Sequence, residues 1–122
     1  MARFINLLAT IASGASLSGV AQPYNAPNAS LQDMVVYGIV MPAAWDTANL
    51  TFQASHDRST YNNVYADDGT ELTVTAAASR FILVPPVTHL CASGLIIRSG
   101  TAGTPVNQTA SRNIIVLARM FD

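Results

Sequence analysis

Ser55, His56, Asp57 and Ser59 put hydroxyls, an imidazole and a carboxylate within one short stretch, which are the group types of a hydrolase triad. A triad is made by placement in space, and the chain carries no Gly-x-Ser-x-Gly elbow to present a nucleophile. A polar loop between strands is the reading the stretch favours. Asp67, Asp68 and Glu71 offer oxygens to a hard cation. A calcium cage needs six or more oxygens from several segments, however, and Asp68-Gly69 is also a tight hairpin signal, because Asp-Gly tolerates positive φ. His89 stands between prolines and an apolar segment and reads as a wedged loop histidine. Cys91, the single cysteine, lies between Leu90 and Ala92, so a small buried residue is expected and an intramolecular disulfide is excluded. Tyr24, Tyr61 and Tyr65 could stack on sugars, and in a strand Tyr61 and Tyr65 would share a face. These signals predict no catalytic, cofactor or metal site, no small-molecule substrate and no enzyme.

The composition points elsewhere. Half of the 122 residues are hydrophobic and only 11% are charged. The mean hydropathy is +0.31. Lysine is absent, glutamate occurs once at Glu71, and the six basic residues are all arginines. A free-standing domain normally carries about a quarter of its residues charged. So little charge implies a surface covered in part by partners, copies of itself among them. A net charge of −1 with scattered arginines excludes a general nucleic-acid binder. No apolar run approaches the ~18 residues of a membrane-spanning helix.

The elements that must position these residues have the period of strands. From Trp45 to Ser55, Leu50, Phe52 and Ala54 fall on one side, and Thr51, Gln53 and Ser55 on the other. Trp45, the only tryptophan, is expected to plug one end of a core anchored by Leu50, Phe52 and Phe81. Met34–Met41 is apolar on both faces, as a central strand would be. Tyr61–Tyr65, Glu71–Ala76, Ser79–Val84, Leu95–Arg98 and Arg112–Arg119 follow, with turn residues between them. Residues 1–32 read as an N-terminal strand or arm and a Pro- and Asn-rich loop, and residues 33–122 as the body of the same domain. Met1–Ala21 could be mistaken for an export signal with Gly19-Val20-Ala21 as its cleavage site, but Asn6 and Thr10 break the short apolar run, and Ala2–Ala12 reads as a strand or ordered arm. About eight strands without a helical stripe predict an all-β, antiparallel two-sheet sandwich, jelly-roll-like, with an immunoglobulin-like Greek key as the other topology.

Pro42-Ala43-Ala44-Trp45, Leu50–Ser55, the Tyr61–Glu71 turn region and Leu95–Thr101 together resemble the small capsid decoration or cement proteins of tailed bacteriophages. The resemblance spans roughly residues 35 to 119 and rests on structural motifs, not catalytic ones. It implies a jelly-roll-like fold, dimers or trimers, and binding to the outside of the major capsid protein lattice on the virion, after assembly in a bacterial cytoplasm. A reducing cytoplasm suits a single unpaired cysteine. On this view Phe4, Ile5, Leu7 and Leu8 anchor a removable arm on a partner subunit or the capsid surface. A carbohydrate-binding module or tail-associated adhesin is the alternative, built on the same sandwich with a tyrosine-bearing face.

Overall fold

The computed structural model describes residues 2–23, 34–84 and 93–121. Among them every regular element is a strand and every pairing is antiparallel. The strands are β1 (Ala2–Ile11), β2 (Leu17–Val20), β3 (Gln22–Pro23), β4 (Met34–Val40), β5 (Leu50–Ser55), β6 (Asn62–Asn63), β7 (Phe81–Leu83), β8 (Gly94–Ser99) and β9 (Arg112–Phe121). They run in the order β6-β5-β8-β2-β1-β9-β4-β7, with β3 also pairing β1.

This is one connected sheet curled into a half-barrel, where two separate sheets were expected. The connection is the pairing of β1 with β2 at Ile11 and Ser18, which joins a β6-β5-β8-β2 limb to a β1-β9-β4-β7 limb. One core fills the curl. Leu7, Ile39, Ile114 and Val116 come to it from one limb, and Leu50, Phe52, Leu95 and Ile97 from the other. Each set obeys the two-residue period, so the alternation seen in Leu50–Ser55 and Arg112–Arg119 does mark the buried face.

The N-terminal segment is a structural interior and not a detachable arm. β1 pairs along its whole length with β9, from Ala2 opposite Phe121 to Ile11 opposite Arg112, and its other side takes β2 and β3. Leu7 is fully buried in the protein's own core and is therefore unavailable to a partner. Ile5 packs against that core, Leu8 is half-buried, and Phe4 alone of the four is largely exposed. Removing residues 2–12 would strip one edge of β9 of its hydrogen bonds, so the half-barrel would not survive without them.

Of the four expected core anchors, three lie in or against the core and one does not. Leu50 and Phe52 are completely buried, and Trp45 packs against the core with its indole Nε1 donating to the Ala48 carbonyl at 3.1 Å. Phe81 is 62% exposed. The register explains why. Ile82 lies opposite Ile39, whose side chain enters the core, so Phe81 and Leu83 must point to the other face. The expected strands at Tyr61–Tyr65 and Glu71–Ala76 shrink to β6 and the bridges Leu50–Val74 and Tyr65–Glu71. Of that polar stretch Ala76 is buried in the core, and Val64, Leu72 and Val74 pack against it.

The end of the half-barrel near Trp45 is closed by Gln108, a fully buried amide. Its Oε1 accepts from the Asp46 amide at 2.9 Å and from Arg112 Nε at 3.1 Å. Its Nε2 donates to the Asp46 carbonyl at 3.0 Å and to Ser99 Oγ at 2.8 Å. Its backbone donates to the Ala15 carbonyl and accepts from the Gly14 amide.

Substitution of the two phenylalanines separates the faces. Phe52→Ala should cost about 3–5 kcal/mol of unfolding free energy, whereas Phe81→Ala should change it by less than about 0.5 kcal/mol. Urea denaturation followed by tryptophan fluorescence measures both, and equal losses would mean that Phe81 is a core residue after all.

Candidate interaction surface

The Ser55–Thr60 loop is a turn held by one carboxylate. Asp57 Oδ1 accepts from the Ser59 and Thr60 amides, each at 2.9 Å, and from Ser55 Oγ at 2.9 Å. Ser55 Oγ thus donates to the carboxylate, and no hydroxyl is handed to His56. The imidazole is 81% exposed, with Nε2 at 3.8 Å from Asp57 Oδ2. A nucleophile–base pair is not formed, and the loop reading stands. The Thr60 amide first, then the Ser59 amide and the Ser55 hydroxyl, hold the Asp57 carboxyl down at about 2.

The acidic turn also resolves into structure. Asp68 Oδ1 accepts from the Thr70 amide at 3.0 Å and from its hydroxyl at 2.7 Å, and Gly69 adopts φ +91° as the hairpin requires. Glu71 turns away toward Arg98, an arginine only 6% exposed on the outer side of β8. Arg98 Nη1 meets Glu71 Oε2 at 3.3 Å and Thr51 Oγ1 at 3.4 Å, and Nη2 donates to Asn63 Oδ1 at 2.6 Å. The Ala102 amide closes the group on the Glu71 carboxylate at 3.1 Å. Among the described residues no cluster of metal-ligating groups forms. Sequence reading weighed Glu71 among the oxygens open to a cation, favoured a plain hairpin, and passed over Arg98. The signal available was the pairing of a lone glutamate with an arginine in an otherwise apolar strand.

Among the described residues, Tyr61 and Tyr65 do not make a shared platform. Tyr61 lies over Gly94, where an added Cβ would collide with its phenol oxygen. Glycine there is what lets the ring cover the strand. Tyr65 stands by itself, 55% exposed. Tyr24, His89 and Cys91 lie outside the described residues.

What remains is a face. On the outer side of β1, β9, β4 and β7, paired residues form rows across the four strands. One row is Phe81, Val40, Ile115 and Leu8. The next is Leu83, Gly38, Leu117 and Asn6. The third joins Val35, Arg119 and Phe4. Beyond Leu8 and Ile115 the apolar rows stop at a polar pair, Thr10 Oγ1 donating to Asn113 Oδ1 at 2.9 Å.

Phe4 is 70% exposed and Leu83 76% exposed, so large side chains stand unburied on both flanks of this face. Arg119, its one charged side chain among the described residues, lies 5.1 Å from the centre of the Phe4 ring, and the Tyr37 ring is tilted against Phe4 at 5.8 Å. Taking about 200 Å2 for an aromatic side chain, Phe4, Phe81 and Leu83 together expose on the order of 400 Å2, within the range of the largest apolar patch on a monomer, which is often functional. No family model, curated protein or solved structure matches this chain.

Two outcomes follow from the polar clusters. Asp57 titrates below its ordinary 3.8 in the folded protein, so the order it imposes is complete above that pH and is lost as pH falls toward about 2. Amide resonances of Ser59 and Thr60 should shift through that window and not above it, and Asp57→Asn should remove the transition. Glu71→Ala strands the buried Arg98 guanidinium and should cost roughly 2–4 kcal/mol, while Glu71→Ala combined with Arg98→Met should recover most of the loss. Chemical denaturation of the three proteins reads the difference.

Proposed function

We propose that this chain is a structural virion protein that decorates and cements a bacteriophage capsid by binding the outside of the major capsid protein lattice. The observation that carries the reading is the apolar outer face of β1, β9, β4 and β7, on a chain with 11% charged residues. A free monomer gains nothing from keeping Phe4, Phe81 and Leu83 in water, whereas a protein that works inside an assembly covers them. The resemblance of Pro42–Trp45, Leu50–Ser55 and Leu95–Thr101 to decoration proteins supports a capsid as that assembly. In this reading the two limbs of the curled sheet act as the two sheets of a jelly-roll-like sandwich around one core. The partners are the capsid protein and copies of this chain, as dimers or trimers. The protein works on the capsid surface after assembly in the bacterial cytoplasm, without enzymatic activity.

The mechanism is mass action. A protein that binds only the assembled, expanded lattice lowers the free energy of that state by an amount set by its concentration relative to Kd. Four apolar strands and satisfied polar clusters give it a rigid body, so little conformational order is lost on binding. The carbohydrate-binding alternative lacks a stacking platform among the described residues, since Tyr61 covers Gly94 and Tyr65 stands alone.

Purified protein mixed with heads that lack it should pellet with them and saturate at a stoichiometry that matches a repeating lattice position. Decorated heads should then retain their genome to a higher temperature than bare ones. Protein left in the supernatant at saturating concentration would overturn the reading.

A further inference from the structure

We infer that the free edge of β7 is a strand-acceptor site, filled on the virion by an extended segment of the major capsid protein that carries apolar side chains at alternate positions. This site rests on the capsid-binding reading for the donor of the strand, and it specifies how the border of the apolar face is engaged.

Hydrogen bonding sets the geometry. β7 ends the strand order, and among the described residues it pairs with β4 alone. The Met41 amide donates to the Arg80 carbonyl at 2.8 Å, and the Val84 amide donates to the Tyr37 carbonyl at 2.9 Å. Bonded pairs alternate in an antiparallel ladder, so Arg80, Ile82 and Val84 turn their backbone groups toward β4. The N–H and C=O of Phe81 and Leu83 therefore point away from it, and among the described residues they meet no partner. The side chains of the same two residues stand largely exposed on the outer face. Two donors, two acceptors and two apolar side chains thus face one incoming strand.

The other end of the sheet is finished differently. There the chain covers the continuation of β6 itself, the Leu72 amide donating to the Val64 carbonyl at 3.0 Å and the Ala66 amide to the Thr70 carbonyl at 2.8 Å. β7 lacks the usual guards of an open edge, for Phe81–Leu83 includes no charge, no proline and no bulge. Its shortness is the one restraint, and it decides between occupants. A second copy of β7 would bring only the same short run to the edge, joining two rigid bodies by a few backbone bonds and leaving both outer faces open. A capsid segment brings the lattice surface with it, so edge and adjoining apolar face are covered in one contact.

Pairing also fixes the pattern of the donor. Residues directly opposite in an antiparallel pair set their side chains on the same face. The donor residues opposite Phe81 and Leu83 extend by one position the rows that run from these two across β4, β9 and β1, and apolar groups suit both places. The donor residue between them lies beside Ile82, on the face that packs against the core.

The test separates backbone from side chain. Leu83→Pro deletes the outward N–H, which β4 does not use, and Leu83→Val keeps it with a side chain of similar size. In co-sedimentation with heads that lack the protein, Leu83→Pro should weaken binding by about tenfold or more, and Leu83→Val by about threefold at most. Circular dichroism and melting temperature establish that both variants fold. Hydrogen exchange on the wild-type protein, read by residue-resolved mass spectrometry, decides the matter even if Leu83→Pro does not fold. In the free protein the Phe81 and Leu83 amides should exchange fast and the Ile82 amide slowly, and on heads all three should be protected. A folded Leu83→Pro that binds as Leu83→Val does overturns the inference, as do Phe81 and Leu83 amides that stay unprotected on heads. Both amides already protected in the free protein would mean that copies pair edge to edge, which overturns it too. In these cases wild-type protein that still pellets leaves the capsid reading standing. Wild-type protein that never pellets removes that reading and, with it, the donor of the strand.

Discussion

The constraint on which the rest of the structure depends is the burial of a single amide, that of Gln108. An unpaired amide in this position would cost about 1–3 kcal/mol for each group left unmade. The fold meets that demand by drawing the Asp46 backbone, Ser99 Oγ and Arg112 Nε around it, so both donors and both lone pairs are used. Three separated parts of the chain are thereby fixed at one point, the Trp45 loop, the end of β8 and the start of β9, and the Gln108 backbone ties the turn after β1 to them. Arg112 is the first residue of β9 and pairs with Ile11, so the same amide fixes where the β1–β9 ladder begins. Asp46 completes the arrangement. Its carboxylate accepts from the Thr109 amide at 2.7 Å and from Arg112 Nη2 at 3.0 Å, and the Thr109 bond above all holds its pKa below the usual range.

That dependence shows why the sequence could be read only so far. Strand existence was legible because period-two alternation in Leu50–Ser55 and Arg112–Arg119 reports directly on burial. Pairing partners were not, because they depend on contacts such as β5 with β8 and β9 with β4, far apart in the chain. Gln108 lies between Asn107 and Thr109 in a stretch that reads as loop, and nothing local distinguishes a buried glutamine from a solvated one. Phe81 was misplaced for a related reason. In a three-residue edge strand the alternation says that one face is different but not which face is inside; that follows from Ile82 lying opposite Ile39. The N-terminal strand was recognised as a strand and misread as an arm, since its apolar side chains alone do not reveal that β9 is waiting for them.

The turn character of the candidate carboxylates was legible in the sequence. Short polar side chains beside turns prefer to satisfy their own backbone, and Asp57 and Asp68 both do so. Their lowered pKa values are products of that local bonding. Perturbed titration near a histidine is often taken as a sign of function. Here the cause lies wholly within the turn, and the imidazole stays out in solvent. Glu71 and Arg98 make the same point on the other limb, where two ionic groups that could suggest a site neutralise each other under the Ala102 loop.

The two limbs consequently differ in how their outer faces are finished. On β5 and β8 the outward residues Thr51 and Arg98 are covered by the chain's own polar segment, through Asn63 and Glu71. On β1, β9, β4 and β7 the outward residues are predominantly apolar, and no described segment of the chain crosses them. A sequence that spends Asn63, Glu71 and Ala102 on closing one limb has the means to close the other in the same way. It instead places Phe4 and Leu83, two of its most exposed large apolar side chains, on opposite flanks of the open one. Low charge and an open apolar face are then one property seen twice: the residues that would have made this face soluble are the charged ones the composition lacks. On the function proposed above, the assembly supplies the dry surface that covers this face.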